Sequence, residues 1–252
     1  MPKDIRIIAE TEELLVLNKP AGLIVHSDGR TQEPSLADWI RERFPALETV
    51  GEPWISPQGE RVPLPGIVHR LDRTTSGVML IAKTPEVYTY LKNEFKERRI
   101  EKTYRAIVYG HMGAAEGKIV AEIMRSSEPP RKWYARPCEE SDKRAAITEW
   151  KLLKHLTDPE TGEPASYVEM YPRTGRTHQI RVHFASIGHP LVADHLYARE
   201  RLPILGFKRP ALHAYSISIV LNGKKETFTA VLPADFESII LRCDVSSTSS
   251  SG

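Results

Sequence analysis

Cysteine is nearly absent: Cys138 and Cys243 are the only two in 252 residues. Two thiols provide neither a disulfide framework nor metal-ligand spacing. We expect both reduced and partly buried, as in a cytosolic protein. The N-terminal stretch MPKDIRIIAE lacks the apolar core of a signal peptide. No apolar run approaches the length of a membrane span. The expectation is therefore a soluble, cytoplasmic protein with no membrane partner. A strong overall charge is missing as well. The formal net charge of +2 is too mild to mark a nucleic-acid binder by itself. No internal repeat is evident, so a solenoid is not expected.

Charge is instead concentrated locally. Between His69 and Tyr109 there are nine Lys/Arg against five acids, and Tyr171–His183 holds three arginines and no acid. A basic face assembled from parts of a near-neutral chain suits a polyanionic ligand. The length of 252 residues allows one large domain or two small lobes.

Short apolar runs at Ile5–Ile8 and Leu14–Leu17 predict a hairpin, closed by the turn Asn18-Lys19-Pro20-Ala21-Gly22. Ser35 reads as the N-cap of a helix that ends before Pro45, with Trp39 in the core. Residues 45–66 hold five prolines and three glycines without periodicity, and are expected to be a loop insertion. Gly77–Ala82 is a continuous apolar run, the pattern of a strand buried on both faces. Pro85 opens a helix with Val87, Tyr88, Leu91 and Phe95 on one face. Further strands are expected at Thr103–Tyr109, Lys118–Met124, Ala145–Leu153, Tyr167–Tyr171, Ser216–Leu221 and Glu226–Val231. Asn222-Gly223 marks a hairpin between the last two. Thr177 is placed to cap a helix through Ile180, Phe184 and Ile187 that Gly188 stops. Asp235–Arg242 should close the chain as a short helix, and 243–252 should be a disordered Ser-rich tail. The fold class implied is α+β with a largely antiparallel mixed sheet and flanking helices. We expect one catalytic-type domain over residues 1–242.

Three features stand out chemically. Asp72 lies in a polar turn just before the buried strand, between Arg70 and Arg73. Tyr104 opens a strand behind the basic run Arg98-Arg99-Ile100-Glu101-Lys102. Arg181 follows the turn Arg173-Thr174-Gly175-Arg176. An acid, an aromatic and an arginine in basic surroundings suit a nucleotide, but spacing alone does not bring them together. On spacing alone, Asp72 with Thr74, Thr75 and Ser76 also reads as a self-capped turn. Tyr104 equally reads as a strand tyrosine with its hydroxyl in water. His178 and His183 share no helix face, so we expect no metal site. His69, His178 and His213 are expected as hydrogen-bonding or core residues.

His69-Arg70-Leu71-Asp72 with Thr75-Ser76-Gly77 resembles the catalytic motif of the RluA-type pseudouridine synthases. The resemblance extends in order along the chain. It includes Asn18-Lys19-Pro20-Ala21-Gly22-Leu23 through His26, then Lys102-Thr103-Tyr104-Arg105-Ala106. It continues through Arg173–His183, Gly188-His189-Pro190-Leu191 and Leu212-His213-Ala214. Six ordered matches carry far more than one short motif. They cover the catalytic region only, and we expect no appended N-terminal RNA-binding domain.

The resemblance implies isomerisation of uridine to pseudouridine in structured RNA, ribosomal or transfer, the target being locally recognised as in a stem-loop. The reaction moves no electrons in or out overall, so no cofactor and no metal are expected. It implies Asp72 as the catalytic carboxylate, either nucleophile at the sugar or base on the adjacent ribose carbon. Arg181 becomes its charge partner, favouring the ionised form, and Tyr104 the ring that stacks on uracil. Arg70 resembles the arginine that fills the space left by a flipped base. Arg70, Arg73, Arg98, Arg99, Lys102, Arg173 and Arg176 are candidates for RNA phosphate contact. A monomer with no obligate protein partner is expected. The alternatives are a non-catalytic RNA-binding protein of the same fold and a carboxylate-dependent hydrolase. The hydrolase would usually need two acids flanking the bond, where the motifs offer one.

Overall fold

The apolar run before Lys83 forms a strand, Ser76–Ala82, in which all seven residues are buried. The computed structural model describes residues 4–27, 33–56, 59, 61–127 and 132–246, with side chains to residue 240. Along the chain come β1 (Arg6–Glu10), β2 (Leu14–Lys19), α1 (Leu36–Arg43), β3 (Trp54–Ile55) and β4 (Arg61–Val62). Next are β5 (Ser76–Ala82), α2 (Pro85–Lys96), β6 (Glu101–Tyr109), β7 (Glu116–Arg125) and β8 (Trp133–Pro137). Last come β9 (Ala145–Thr157), β10 (Pro164–Pro172), α3 (Gln179–Ser186), β11 (Leu212–Leu221), β12 (Lys224–Thr229) and α4 (Ala234–Ser246). They are divided between two compact units. The first is the chain up to Glu101 with Ala214–Val231, and the second is Lys102–His213 with the chain from Leu232.

In the first unit the strand order is β1-β2-β5-β11, with β12 on β11. β1 and β2 form the expected hairpin, and β2 pairs antiparallel with β5 from Leu14↔Ala82 to Lys19↔Gly77. β11 and β12 turn at Asn222 (φ 51°) and Gly223 (φ 76°), both left-handed, as a two-residue hairpin requires. Ser35 caps α1 in a reciprocal box with Asp38. Thr84 caps α2 ahead of Pro85, and Val87, Tyr88 and Leu91 are buried beneath it.

The second unit orders its strands β6-β10-β9-β7-β8, each neighbouring pair antiparallel. The period-2 alternation of β6 supplies two cores. Ala106 and Val108 join Ile119, Trp150, Val168 and Met170 beneath Ile180 and Phe184 of α3. Ile107 and Tyr109 join Leu156, Tyr167 and Phe207 against Phe236 and Ile239 of α4. Glycine is required at 117, where a β-carbon would lie 2.6 Å from the Trp150 ring. At the end of α3, His189 N–H donates to Phe184 C=O (3.0 Å) and Gly188 N–H to Ala185 C=O (3.2 Å). That is the Schellman pairing expected of Gly188 at φ 82°.

The mixed, largely antiparallel sheet with flanking helices matches the expected class. Several local expectations are corrected. The 45–66 segment is not plain loop: it holds a 3-10 turn at Pro45–Leu47 and the β3–β4 hairpin. Thr177 does not cap α3. The N-cap is His178 in the left-handed region (φ 54°), with no side-chain cap. The Gln179 side chain folds back instead and accepts the Arg176 N–H at 3.0 Å. Trp39 is half-buried rather than core, with the Arg43 guanidinium 5.9 Å from its ring. β8 was not anticipated. β12 ends at Thr229, and α4 runs to Ser246, into the segment expected to be disordered. Residues 247–252 lie outside the described residues. Cys138 is free and half-buried, as expected. No described helix is long and apolar enough to cross a membrane.

Candidate active site

Asp72 sits on a turn that β5 forces to be short. Ile67 bridges to Ile81, so the chain approaches alongside the strand it is about to enter. His69 Nε2 accepts the Leu80 N–H at 2.9 Å, which places the proton on Nδ1 and keeps the ring neutral. The reversal is closed by Thr75 N–H donating to Asp72 C=O at 3.1 Å. Thr75 and Ser76 are buried, whereas Asp72 is half-buried. The re-entry needs Gly77 (φ 125°), because a β-carbon there would lie 2.1 Å from Ala214 O.

The Asn18-Lys19-Pro20 segment clamps this turn from the other side. Lys19 is completely buried, and its ammonium donates to Pro20 O (2.9 Å), Leu23 O (2.9 Å) and Arg73 O (3.3 Å). Gly22 N–H reaches the same Arg73 carbonyl at 2.8 Å, and Arg73 Nε returns a bond to Gly22 O at 3.1 Å. A buried ammonium is tolerated only with such acceptors. Sequence reading quoted Lys19 without assigning it work. The signal available was a lysine ending an apolar strand just before proline.

Tyr104 and Arg181 are carried by the second unit. Tyr104 is half-buried on β6 opposite Met170 and packs against the core beneath α3. Arg181 is buried on α3. Its Nε donates to Asp194 Oδ2 (2.7 Å) and its Nη2 to Asp194 Oδ1 (2.8 Å), a two-pronged pair. The guanidinium carbon lies 5.1 Å from the Tyr197 ring centre. Asp194 is held in turn by Leu196 N–H (3.1 Å) and Tyr197 N–H (3.2 Å). The Tyr197 hydroxyl lies 2.9 Å from His178 Nδ1 and accepts Trp133 N–H at 3.3 Å. Asp194 and Tyr197 were missed, although an acid directly after Leu191-Val192-Ala193 was a readable signal.

The arginine turn before α3 hangs on Gln179. Its Nε2 donates to Ile147 O (3.0 Å) and Thr148 Oγ1 (3.0 Å), and its Oε1 accepts from Thr174 Oγ1 (2.7 Å). Thr174 Oγ1 also accepts Ile147 N–H (3.0 Å), and Thr148 Oγ1 lies 2.9 Å from His183 Nδ1. Burial in this network pushes the His183 pKa down to about 4, despite the Ala121 carbonyl nearby. Lys102 Nζ joins from β6, donating to Thr174 O at 3.4 Å.

The arginines among the phosphate candidates fall into two groups. Arg73 pairs with Glu33 (2.8 Å), Arg99 with Glu94 (2.5 Å) and Arg173 with Glu149 (2.5 Å). Arg70, Arg98 and Arg176 are exposed and have no ion-pair partner among the described residues. His178 and His69 make hydrogen bonds, and His213 is buried with its ring 6.3 Å from Phe236. Among the described residues no group of three or more His, Cys, Asp or Glu could hold a metal ion.

Residues 13–186 match the sequence model of a family described as RNA pseudouridylate synthase. An uncharacterized RNA pseudouridine synthase of Synechocystis sp. is 34% identical over 93% of this chain and 68% of that protein. A ribosomal large subunit pseudouridine synthase D of Zymomonas mobilis is 36% identical over 94% of this chain and 72% of its own length. One of the same name from Neisseria meningitidis serogroup B is 35% identical over 93% of this chain, which spans 60% of that relative. Two solved structures share the fold. Human RNA Pseudouridylate Synthase Domain Containing 4 has TM-score 0.69 at 22% identity, covering 94% of this chain and 92% of the other. Human RNA Pseudouridylate Synthase Domain Containing 1 has TM-score 0.66 at 24% identity, covering 95% of each.

Proposed function

This chain belongs to the RNA pseudouridylate synthase family, and from that premise we propose that it isomerises uridine in structured RNA with Asp72 as the catalytic carboxylate. The observation that carries the proposal is the turn around Asp72. A half-buried acid is held on a loop clamped by the buried Lys19 and by Gly22. Such a loop keeps a reactive group in one place, which is how positioning lowers a barrier.

In the reaction the bond between ribose C1′ and uracil N1 breaks, the uracil turns, and C1′ joins C5. The C5 proton is lost to solvent and N1 takes one up, so atoms and electrons balance without a co-reactant. Asp72 acts at the first step, on C1′ or on the C2′ proton. Arg181 acts as the charge partner of that carboxylate, and Asp194 fixes the angle of that guanidinium. Tyr104 stacks on the uracil, a contact worth about 1–3 kcal/mol. A stacked target nucleotide must first flip out, at a cost of a few kcal/mol. Arg70 takes the vacated place, and Arg73, Arg98, Arg99, Lys102, Arg173 and Arg176 meet phosphates. Two of the similar proteins carry ribosomal large subunit in their names, which favours ribosomal over transfer RNA as the substrate. We place the protein in the cytoplasm, acting as a monomer.

The test is tritium release from transcripts labelled at uracil C5, with ribosomal and transfer RNA in parallel. Release from ribosomal RNA that disappears in Asp72→Asn is the expected result. No release from either RNA refutes the activity, and release that survives the substitution refutes the role of Asp72.

A further inference from the structure

Helix α2 carries a basic pocket that the reaction has not used. Val68, Lys92, Asn93, Phe95 and Lys96 line an open cavity of about 500 Å³. Val68 and Phe95 make it apolar, while two ammonium groups and an amide make it a place for an anion. We propose that this pocket is a second nucleotide subsite, holding a phosphate of the substrate RNA on Lys92 and Lys96 with the attached nucleoside against Phe95. The inference rests on the proposed activity.

The charge arrangement calls for a ligand. Lys92 and Lys96 are both exposed and one helical turn apart, a like-charge spacing that disfavours a helix. Neither has an ion-pair partner among the described residues. Elsewhere in the same unit Arg99 is taken by Glu94, Lys83 by Glu10 and Lys225 by Glu101. The helix macrodipole explains a cation in the last turn, hence Lys96, and the Lys92 ammonium a turn earlier lies 5.9 Å from the Tyr88 ring centre, a contact that leaves its N–H donors for an anion. Just beyond the helix, Arg98 holds a left-handed backbone (φ 60°) at a position that glycine fills more cheaply. A third cation is thus kept at this end of the helix in spite of the backbone it needs.

The position is also apt. Val68 lies four residues before Asp72 in the chain. The Phe95 ring stacks on His69, with ring centres 4.6 Å apart at 27°. A nucleotide on Phe95 therefore lies one side chain from the residue that begins the catalytic loop. The cavity is large enough for one nucleotide, being within the usual range for small-ligand sites.

The test compares Lys92→Gln/Lys96→Gln with a control that removes two charges elsewhere, Lys143→Gln/Lys224→Gln, both in the full chain. Affinity for the transcript is measured in an Asp72→Asn background, so the reading does not depend on turnover, which tritium release tests separately. Matching melting temperatures confirm that both variants fold. Loss of that one phosphate contact should weaken binding about 5- to 8-fold at 0.1 M salt and lower the salt slope by about 0.7 to 0.9. The control should bind like the parent. Equal affinity and slope in variant and parent overturn the proposal, as does an equal loss in the control. Uridine 5′-monophosphate is titrated in parallel. A variant that loses only the mononucleotide and keeps the transcript marks a free-nucleotide site, and that too overturns the proposal.

Discussion

Asp194→Asn removes one charge from a pair buried within the second unit, and the structure sets the cost. Asp194 has 1% exposure and Arg181 has 7%. Among the described residues, Oδ1 accepts three donors, from Arg181 Nη2, Leu196 N–H and Tyr197 N–H, whereas Oδ2 accepts only Arg181 Nε. Asparagine can keep the Oδ1 contacts but sets an NH₂ group against Nε–H, donor against donor. The guanidinium then faces one neutral acceptor where Asp194 offered a charged, two-pronged one. Removing one partner of a buried pair typically costs about 3–5 kcal/mol, and the retained oxygen puts this variant near the lower end. At about 2–4 °C per kcal/mol for chains of this size, calorimetry should show a fall of roughly 6–14 °C. Arg181→Met should cost a similar amount by stranding the carboxylate. The double variant should cost clearly less than the sum, with coupling in the range of about 0.5–3 kcal/mol found for contacting residues. Activity adds an independent reading. A misaimed Arg181 should lower kcat about 100-fold with little change in KM. A melting temperature within 2 °C of the parent (roughly half a kcal/mol), or strict additivity in the cycle, would refute the reasoning.

Lys19→Met keeps the aliphatic stem and deletes three charge-assisted bonds to carbonyls; relief of ammonium burial offsets part of the loss, leaving a net destabilisation of about 2–4 kcal/mol in urea unfolding. Gly77→Ala forces a β-carbon into the Ala214 carbonyl at a positive φ, so a loss of roughly 3 kcal/mol or more is expected, and an unchanged urea midpoint would contradict it. His183 has a folded pKa near 4 against 6.5 for the free side chain, so below pH 6.5 the unfolded chain binds the extra proton. Its contribution is complete above pH 6.5 and is lost as pH falls towards 4, by up to about 3 kcal/mol, and His183→Gln should flatten the melting curve across that window. Tyr104→Phe should retain RNA binding through stacking yet lose most tritium release if the hydroxyl helps remove the C5 proton; rapid turnover in that variant would leave only the stacking role.

The sequence by itself determined the elements whose signals are local. A six-residue apolar run at Gly77–Ala82, a proline opening the helix at Pro85, and Asn222-Gly223 between alternating strands each act within a few residues of the chain. Steric and hydrogen-bonding rules there leave little choice. The same holds for the acid turn at Asp72, legible because polar turn residues stand directly against a buried strand. Tertiary structure decided what depends on partners distant in sequence. β8 has a weak pattern of its own and exists because β7 offers it an edge. Thr177 looks like a cap, yet Gln179 takes over the Arg176 amide because β9 supplies acceptors at Ile147 and Thr148. Lys19 reaches the Arg73 carbonyl 54 residues away, and Arg181 finds Asp194 across 13. No periodicity encodes such pairings. They follow from burial, which makes an unpartnered charge too costly and selects the packing in which each ion meets its acceptors.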